Sequence, residues 1–178
     1  MVKKLQALRA KKGFTLVELI VVIAIIGVLA AILIPTLSGV IESSRKRSAE
    51  STCQSVQSLA KTFASTVMSK TGNTCQAGTK VDMDDGKGEQ TMSAYIMSQM
   101  PEISGDDTKG VLVELEGGQV VTVRYTEGAF TAEWTSTDGT KGATKAGDKD
   151  ANTEVTAKGT VTVTDDKGGS DETDTDTE

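Results

Sequence analysis

From Leu19 to Ile34 the chain runs through 16 consecutive residues without a polar side chain, and the carboxylate of Glu18 stands immediately before them. Counted from Phe14, the apolar segment reaches Leu37. As a helix rising ~1.5 Å per residue it is roughly 35 Å long, enough to cross a hydrocarbon core of ~30 Å. A carboxylate near membrane depth costs about 2.5–3.5 kcal/mol on insertion scales, so it calls for a partner. Whatever the rest of the chain folds into, it must accommodate a span with a charge at its mouth.

Three readings compete for this segment. A secretory signal peptide has a basic start, a short apolar core and an A-x-A-like cleavage site. The basic start is present, but the apolar run is too long and no A-x-A follows it. An ordinary single-span anchor fits the length and leaves Gly13-Phe14-Thr15-Leu16-Val17-Glu18 unaccounted for. The third reading is a cut between Gly13 and Phe14. It would create a new α-amino group at the head of an apolar helix, with Glu18 one turn further on.

Lys11-Lys12-Gly13-Phe14-Thr15-Leu16-Val17-Glu18 followed by an apolar helix resembles the prepilin leader of type IV pilins and their pseudopilin relatives. The resemblance is close over residues 11–38 and looser down to Lys70. It implies a membrane prepilin peptidase that cleaves after Gly13 and methylates the amine of Phe14. It also implies that Glu18 pairs with the Phe14 amine of a neighbouring subunit in a helical filament raised by a pilus assembly platform. The alternatives are a pseudopilin of a type II secretion or DNA-uptake apparatus, and a monomeric membrane-anchored surface protein that binds through its head.

Elementary electrostatics agrees with the pairing. Opposite charges attract far more strongly in an apolar bundle than in water. Removing one partner of a buried pair typically costs about 3–5 kcal/mol, so such a pair fixes the register between subunits. A carboxylate in the first helical turn is also favoured by the helix dipole, and the two roles are compatible.

Lys3, Lys4, Arg9, Lys11 and Lys12 make the leader basic and free of acids, which predicts a cytoplasmic N-terminus and export of everything beyond the span. Losing these five cations leaves 14 basic against 25 acidic side chains, a net charge of about −11. An acidic product with one Trp, two Tyr and three Phe lacks the basic face and stacking aromatics of a nucleic-acid binder. The absence of His, of G-x-S-x-G and of a P-loop argues against an enzyme, and no cofactor is expected.

Gly27 and Pro35 are the weak points of the span. Proline removes the hydrogen bond to the Ala31 carbonyl and predicts a kink. The resemblance adds that pilin helices can melt between a glycine and a proline placed like these. Beyond the span, Ala49, Cys53, Val56, Ala60, Phe63 and Val67 recur at spacings of four and three, a helical stripe that should receive a sheet. Arg45, Lys46 and Arg47 precede it and suit lipid headgroups or subunit contacts. Gly72-Asn73 should end the helix near Lys70.

The expected fold is α+β: a long N-terminal helix packed on a small antiparallel meander. Residues 1–13 are leader, 14–38 the membrane and filament-core helix, 39–70 its amphipathic continuation, 71–164 the head and 165–178 an acidic tail. Within the head, 71–88 reads as a connection and 89–100 as a short helix stopped by Pro101. Val111–Leu115 and Val120–Tyr125 flank the two-residue turn Gly117-Gly118, and Ala129–Thr135 follows. Residues 136–153 read as loop, and Val155–Ala157 with Val161–Val163 as a further strand or hairpin. The tail, DDKGGSDETDTDTE, has no apolar residue and is expected to be disordered.

Cys53 and Cys75 could form one disulfide in an exported protein. If the helix reaches Lys70, Cys53 lies ~25 Å back along it from that end, while the five extended residues on to Cys75 reach only ~17 Å. A helix end near Ser65 would allow the bridge; otherwise a buried free Cys53 and an exposed Cys75 are expected. Asp82, Asp84, Asp85 and Glu89 crowd one loop, and some secretion-type pseudopilins bind calcium in a loop. Their spacing misses the D-x-[DN]-x-[DN]-G pattern, because Gly86 comes one position early, so a solvated acidic loop is the default.

Overall fold

The computed structural model describes residues 14–84, 86–149, 151–152, 155, 159–165 and 170–173. The leader, Gly13 and Asp85 therefore lie outside the described residues, as does most of the tail. Helix α1 spans Leu16–Thr71, close to its expected end, and carries Pro35 within it. The chain forms two compact units that meet in sequence at Glu42 and Ser43.

In the first unit the helix presents apolar side chains to its surroundings. Leu16, Val17, Ile34 and Val40 are each more than 60% exposed, and no residue of the apolar window is buried. Helical hydrogen bonding resumes past Pro35. The hydroxyl of Thr36 donates to the Leu33 carbonyl at 2.8 Å, and Ser38 to that of Ile34 at 3.2 Å, so local polar groups turn inward on the backbone.

In the second unit the stripe predicted from spacing is the buried face of α1: Ala49, Cys53, Val56, Ala60, Phe63 and Val67 are fully buried. It packs against a six-stranded sheet. Strands β1 (Val81–Asp82) and β2 (Glu89–Gln90) make a small ladder of their own, and α2 follows at Met92–Gln99. Then come β3 (Lys109–Glu116), β4 (Gln119–Glu127), β5 (Phe130–Thr135), β6 (Gly139–Lys145), β7 (Val161–Asp165) and β8 (Ser170–Thr173). The sheet order is β6-β5-β4-β3-β7-β8, antiparallel except for the parallel pair β3–β7.

Alternation decides which side chains reach α1. Val111, Val113 and Leu115 of β3, Val123 and Tyr125 of β4, and Val161 and Val163 of β7 point into the core. Phe63 meets Tyr95 of α2 with ring centroids 5.9 Å apart. Trp134, paired opposite Val123, alternates onto the same side yet stays only partly buried at the edge of the core. At the β3–β4 turn, Gly117 and Gly118 both hold positive φ, as a two-residue hairpin demands. A Cβ on Gly118 would stand 2.7 Å from Thr74 Cβ and 3.0 Å from the Cys75 amide, so the turn also packs on the post-helix loop.

Several expectations change. Residues 139–145, read as loop, form edge strand β6, because its backbone pairs with β5 although Gly, Thr and Lys give no apolar alternation. Glu50 of α1 accepts the Ala143 amide at 2.8 Å and so fastens this edge to the helix. The connection 71–88 contains β1. Within the tail expected to be disordered, Ser170–Thr173 pairs with β7 through its backbone. Val155, expected in a strand, lies outside one; it is buried, and its amide donates to Thr126 Oγ1 at 3.2 Å.

The two cysteines are both free and both buried, so neither the bridge nor an exposed Cys75 is found. With α1 reaching Thr71, Cys53 lies ~27 Å back along the axis, and the four residues to Cys75 span at most ~14 Å. Cys53 Sγ instead donates to the Val123 carbonyl at 3.5 Å. Burial first, then the Glu133 carboxylate, pushes its thiol up to about 12; burial and Asp165 push Cys75 up to about 11. Both stay protonated and unreactive near neutral pH.

The sheet face turned away from α1 carries an alternating row of charges over four strands. Lys141 Nζ donates to Glu133 Oε1 at 3.0 Å, and Arg124 Nε to Glu133 Oε2 at 2.6 Å. Arg124 Nη1 then reaches Glu114 Oε1 at 3.3 Å. Burial alone would raise the Glu133 carboxyl, but its hydrogen bonds from Arg124 and Lys141 outweigh that and hold it below its ordinary 4.5.

Two measurements on the full chain in detergent check this packing. Phe63→Ala should lose about 3–5 kcal/mol in urea unfolding, as buried Phe deletions do. A cost below noise would mean that Phe63 does not support the sheet. Because its folded-state pKa is depressed, Glu133 contributes stability that is present above pH ~4.5 and lost as pH falls through its folded value. Glu133→Gln should therefore flatten the acid limb of the urea midpoint against pH. An unchanged limb would remove Glu133 from the acid response.

Candidate assembly site at the helix N-terminus

Thr15 stands just before the first helical residue, and the Leu19 amide donates to its carbonyl at 3.2 Å. That makes Thr15 the N-cap and Glu18 the third helical residue, the arrangement of a capping box. The bonds are reciprocal. Thr15 Oγ1 and the Thr15 amide each donate to Glu18 Oε2 at 2.8 Å, and the Glu18 amide donates to Thr15 Oγ1 at 3.2 Å. Glu18 is thereby held against the helix start, with Oε1 taking no hydrogen bond among the described residues. This role of Thr15 was not among the sequence expectations, although T-x-x-E is its recognised signature.

Among the described residues, the large neighbours of this polar knot are apolar and outward. Phe14 is 86% exposed, and Leu16 and Val17 are 73% and 68% exposed. Such a surface is stable only in lipid or against other apolar helices. The arrangement therefore offers a single carboxylate oxygen in an otherwise apolar environment, a geometry suited to receiving one cation. A Cβ placed on Gly27 would meet nothing within 4 Å, so its missing side chain leaves the helix surface open there.

The other candidate residues are not brought together in a comparable way. Asp82 Oδ1 accepts the Asp84 amide at 3.1 Å and Oδ2 the Gly86 amide at 2.5 Å. The Gly86 amide is the main reason that the Asp82 carboxyl lies below its ordinary range. Asp84 pairs with Lys87 at 3.0 Å, and Glu89 sits opposite Asp82 in the β1–β2 ladder. These carboxylates are engaged in shaping a turn, and among the described residues no group of three potential ligands gathers. Of the basic trio, Lys46 lies 3.9 Å from Asp148.

Replacing Thr15 tests the cap directly. Thr15→Ala should weaken the helix start by about 1 kcal/mol, the usual worth of an N-cap. In detergent-solubilised protein this should appear as faster amide hydrogen exchange at Leu16–Leu19, with Thr15→Ser close to the parent. Equal exchange in all three would dissolve the capping box.

Residues 8–34 match the family described as the prokaryotic N-terminal methylation motif. Searches of curated proteins and of solved structures gave no match. The motif points to a structural subunit rather than an enzyme, and the long apolar helix fits membrane anchoring. Over residues 8–34 this chain thus carries the N-terminal prepilin signature shared by type IV pilins and pseudopilins.

Proposed function

We propose that this chain is a structural subunit, cut between Gly13 and Phe14 by a prepilin peptidase, N-methylated on Phe14, and polymerised through α1 into an extracellular filament. Before assembly the apolar helix holds it in the membrane as a single span with its leader in the cytoplasm. The observation that carries this reading is Glu18: a carboxylate fixed by Thr15, surrounded by exposed apolar side chains, with one oxygen unspent.

A methylated α-amine remains cationic near neutral pH. When helices of neighbouring subunits leave lipid and pack together, the Phe14 amine of one can meet Glu18 of the next. In that setting the attraction is strong, and a misaligned pair leaves two buried charges uncompensated. Axial register follows from that difference. Pro35, which lacks an amide proton, and Gly27, which is unencumbered, mark the stretch where the helix most readily gives as subunits pack. The same chemistry serves a short secretion or DNA-uptake filament, since the N-terminal signature is common to both.

The test compares Glu18→Ala with the parent in membrane level, N-terminal mass and filaments recovered by shearing. The parent should begin at Phe14 with one added methyl group. The mutant should insert and be processed normally, because a carboxylate costly in lipid has gone, yet yield no filaments. Normal filaments from Glu18→Ala would remove its register role. A surface form that keeps Met1 would overturn the processing.

A further inference from the structure

On the second unit, a cleft of about 540 Å³ opens between α1 and the end of the sheet. One wall is two adjacent rows of the helix. Lys61, Ser65 and Ser69 stand four residues apart and make a polar row; Ala64 and Met68 make an apolar row beside it. The opposite wall comes from Gln119 and Val120 at the start of β4, from Trp134 near the end of β5 and from Ser136 just beyond it. The volume lies within the range of small-molecule sites, which combine apolar walls with a few convergent polar groups.

What distinguishes this cleft is that its polar side chains are unspent. Along the same helix Ser55, Ser58, Thr62 and Thr66 each donate to the carbonyl four residues back. Ser65 and Ser69 make no such bond, and the side chains of Gln119 and Ser136 likewise hold none among the described residues. Lys61 has no carboxylate partner among those residues. Its ammonium lies 4.3 Å from the centre of the Trp134 ring, a cation–π contact that keeps it at the cleft. The cleft's single charge is thus positive, on a chain with 25 acidic and 19 basic side chains.

We infer that this cleft binds an acidic saccharide, specifically a pyranose bearing a carboxylate. The carboxylate sits on Lys61, the ring hydroxyls bond Ser65, Ser69, Ser136 and Gln119, and the C–H face lies along Ala64, Met68 and Val120. A sugar ring has one apolar face and a polar rim, which is the pattern the two helix rows present side by side. An acidic peptide would satisfy Lys61 but offers no rim of hydroxyls for the three serines. This binding goes beyond the assembly reading and does not depend on it.

Trp134 is the only tryptophan, so intrinsic fluorescence reads the cleft directly. The full chain, held in a detergent without sugar headgroups, is titrated with sodium D-glucuronate, D-glucose, an acidic hexapeptide, and sodium chloride at matched ionic strength. Saturation-transfer NMR from protein to sugar C–H protons runs in parallel. Glucuronate should give a saturable response at millimolar concentration. Glucose should bind about tenfold more weakly, and Lys61→Gln should weaken glucuronate by a similar factor while leaving glucose unchanged. Ser69→Ala should weaken both sugars. The inference is overturned by no transfer to glucuronate, by equal binding of glucose and glucuronate, by an unaffected Lys61→Gln, or by saturation with the peptide alone.

Discussion

The head of this protein depends above all on the burial of a narrow stripe of α1 against the sheet, which among the described residues is otherwise met only by the short helix α2. Ala49, Cys53, Val56, Ala60, Phe63 and Val67 together provide one wall of the core, and three of the six are no larger than cysteine. Small residues let the helix lie close to the strands, and Phe63 fills the space that remains toward α2. Removing the large member of that stripe deprives several strands of the same support at once.

Polar fastenings complete what apolar packing begins. Glu50 and Gln54, flanking the buried stripe, reach Ala143 and Thr140 of edge strand β6. Asn152 caps the same edge by donating to the Thr131 and Gly142 carbonyls. An edge strand of Gly, Thr and Lys has little apolar surface of its own, so these bonds replace burial as the reason it stays in register. They also occupy backbone groups that would otherwise be free to pair with another chain.

The first unit obeys a different balance. Its side chains face outward and apolar, a surface that suits lipid or other apolar helices. At its start, Thr15 and Glu18 form a reciprocal knot of hydrogen bonds. A carboxylate satisfied by two donors from its own helix start is less costly to hold beside lipid than a bare one, and it is already oriented when a cation approaches.

Much of this was legible in the chain itself. Hydropathy alone marks the span, and helical spacing alone picks out all six buried residues of α1, because a period near 3.6 with a single apolar face has few other solutions. The Gly117-Gly118 turn and the alternation of β3 to β5 follow from local chemistry in the same way. The signature matched over residues 8–34 is likewise carried by residues adjacent in sequence. Only the tertiary structure decided that residues 139–145 form a strand, that β7 returns parallel to β3, and that Cys75 is buried. Those features rest on backbone pairing and on contacts between distant segments, which leave no periodic trace in Gly-, Thr- and Lys-rich sequence. The cleft at Lys61 belongs with them. Its polar row is visible on the helix, but Trp134, Gln119 and Ser136 join it only because the sheet ends beside that face.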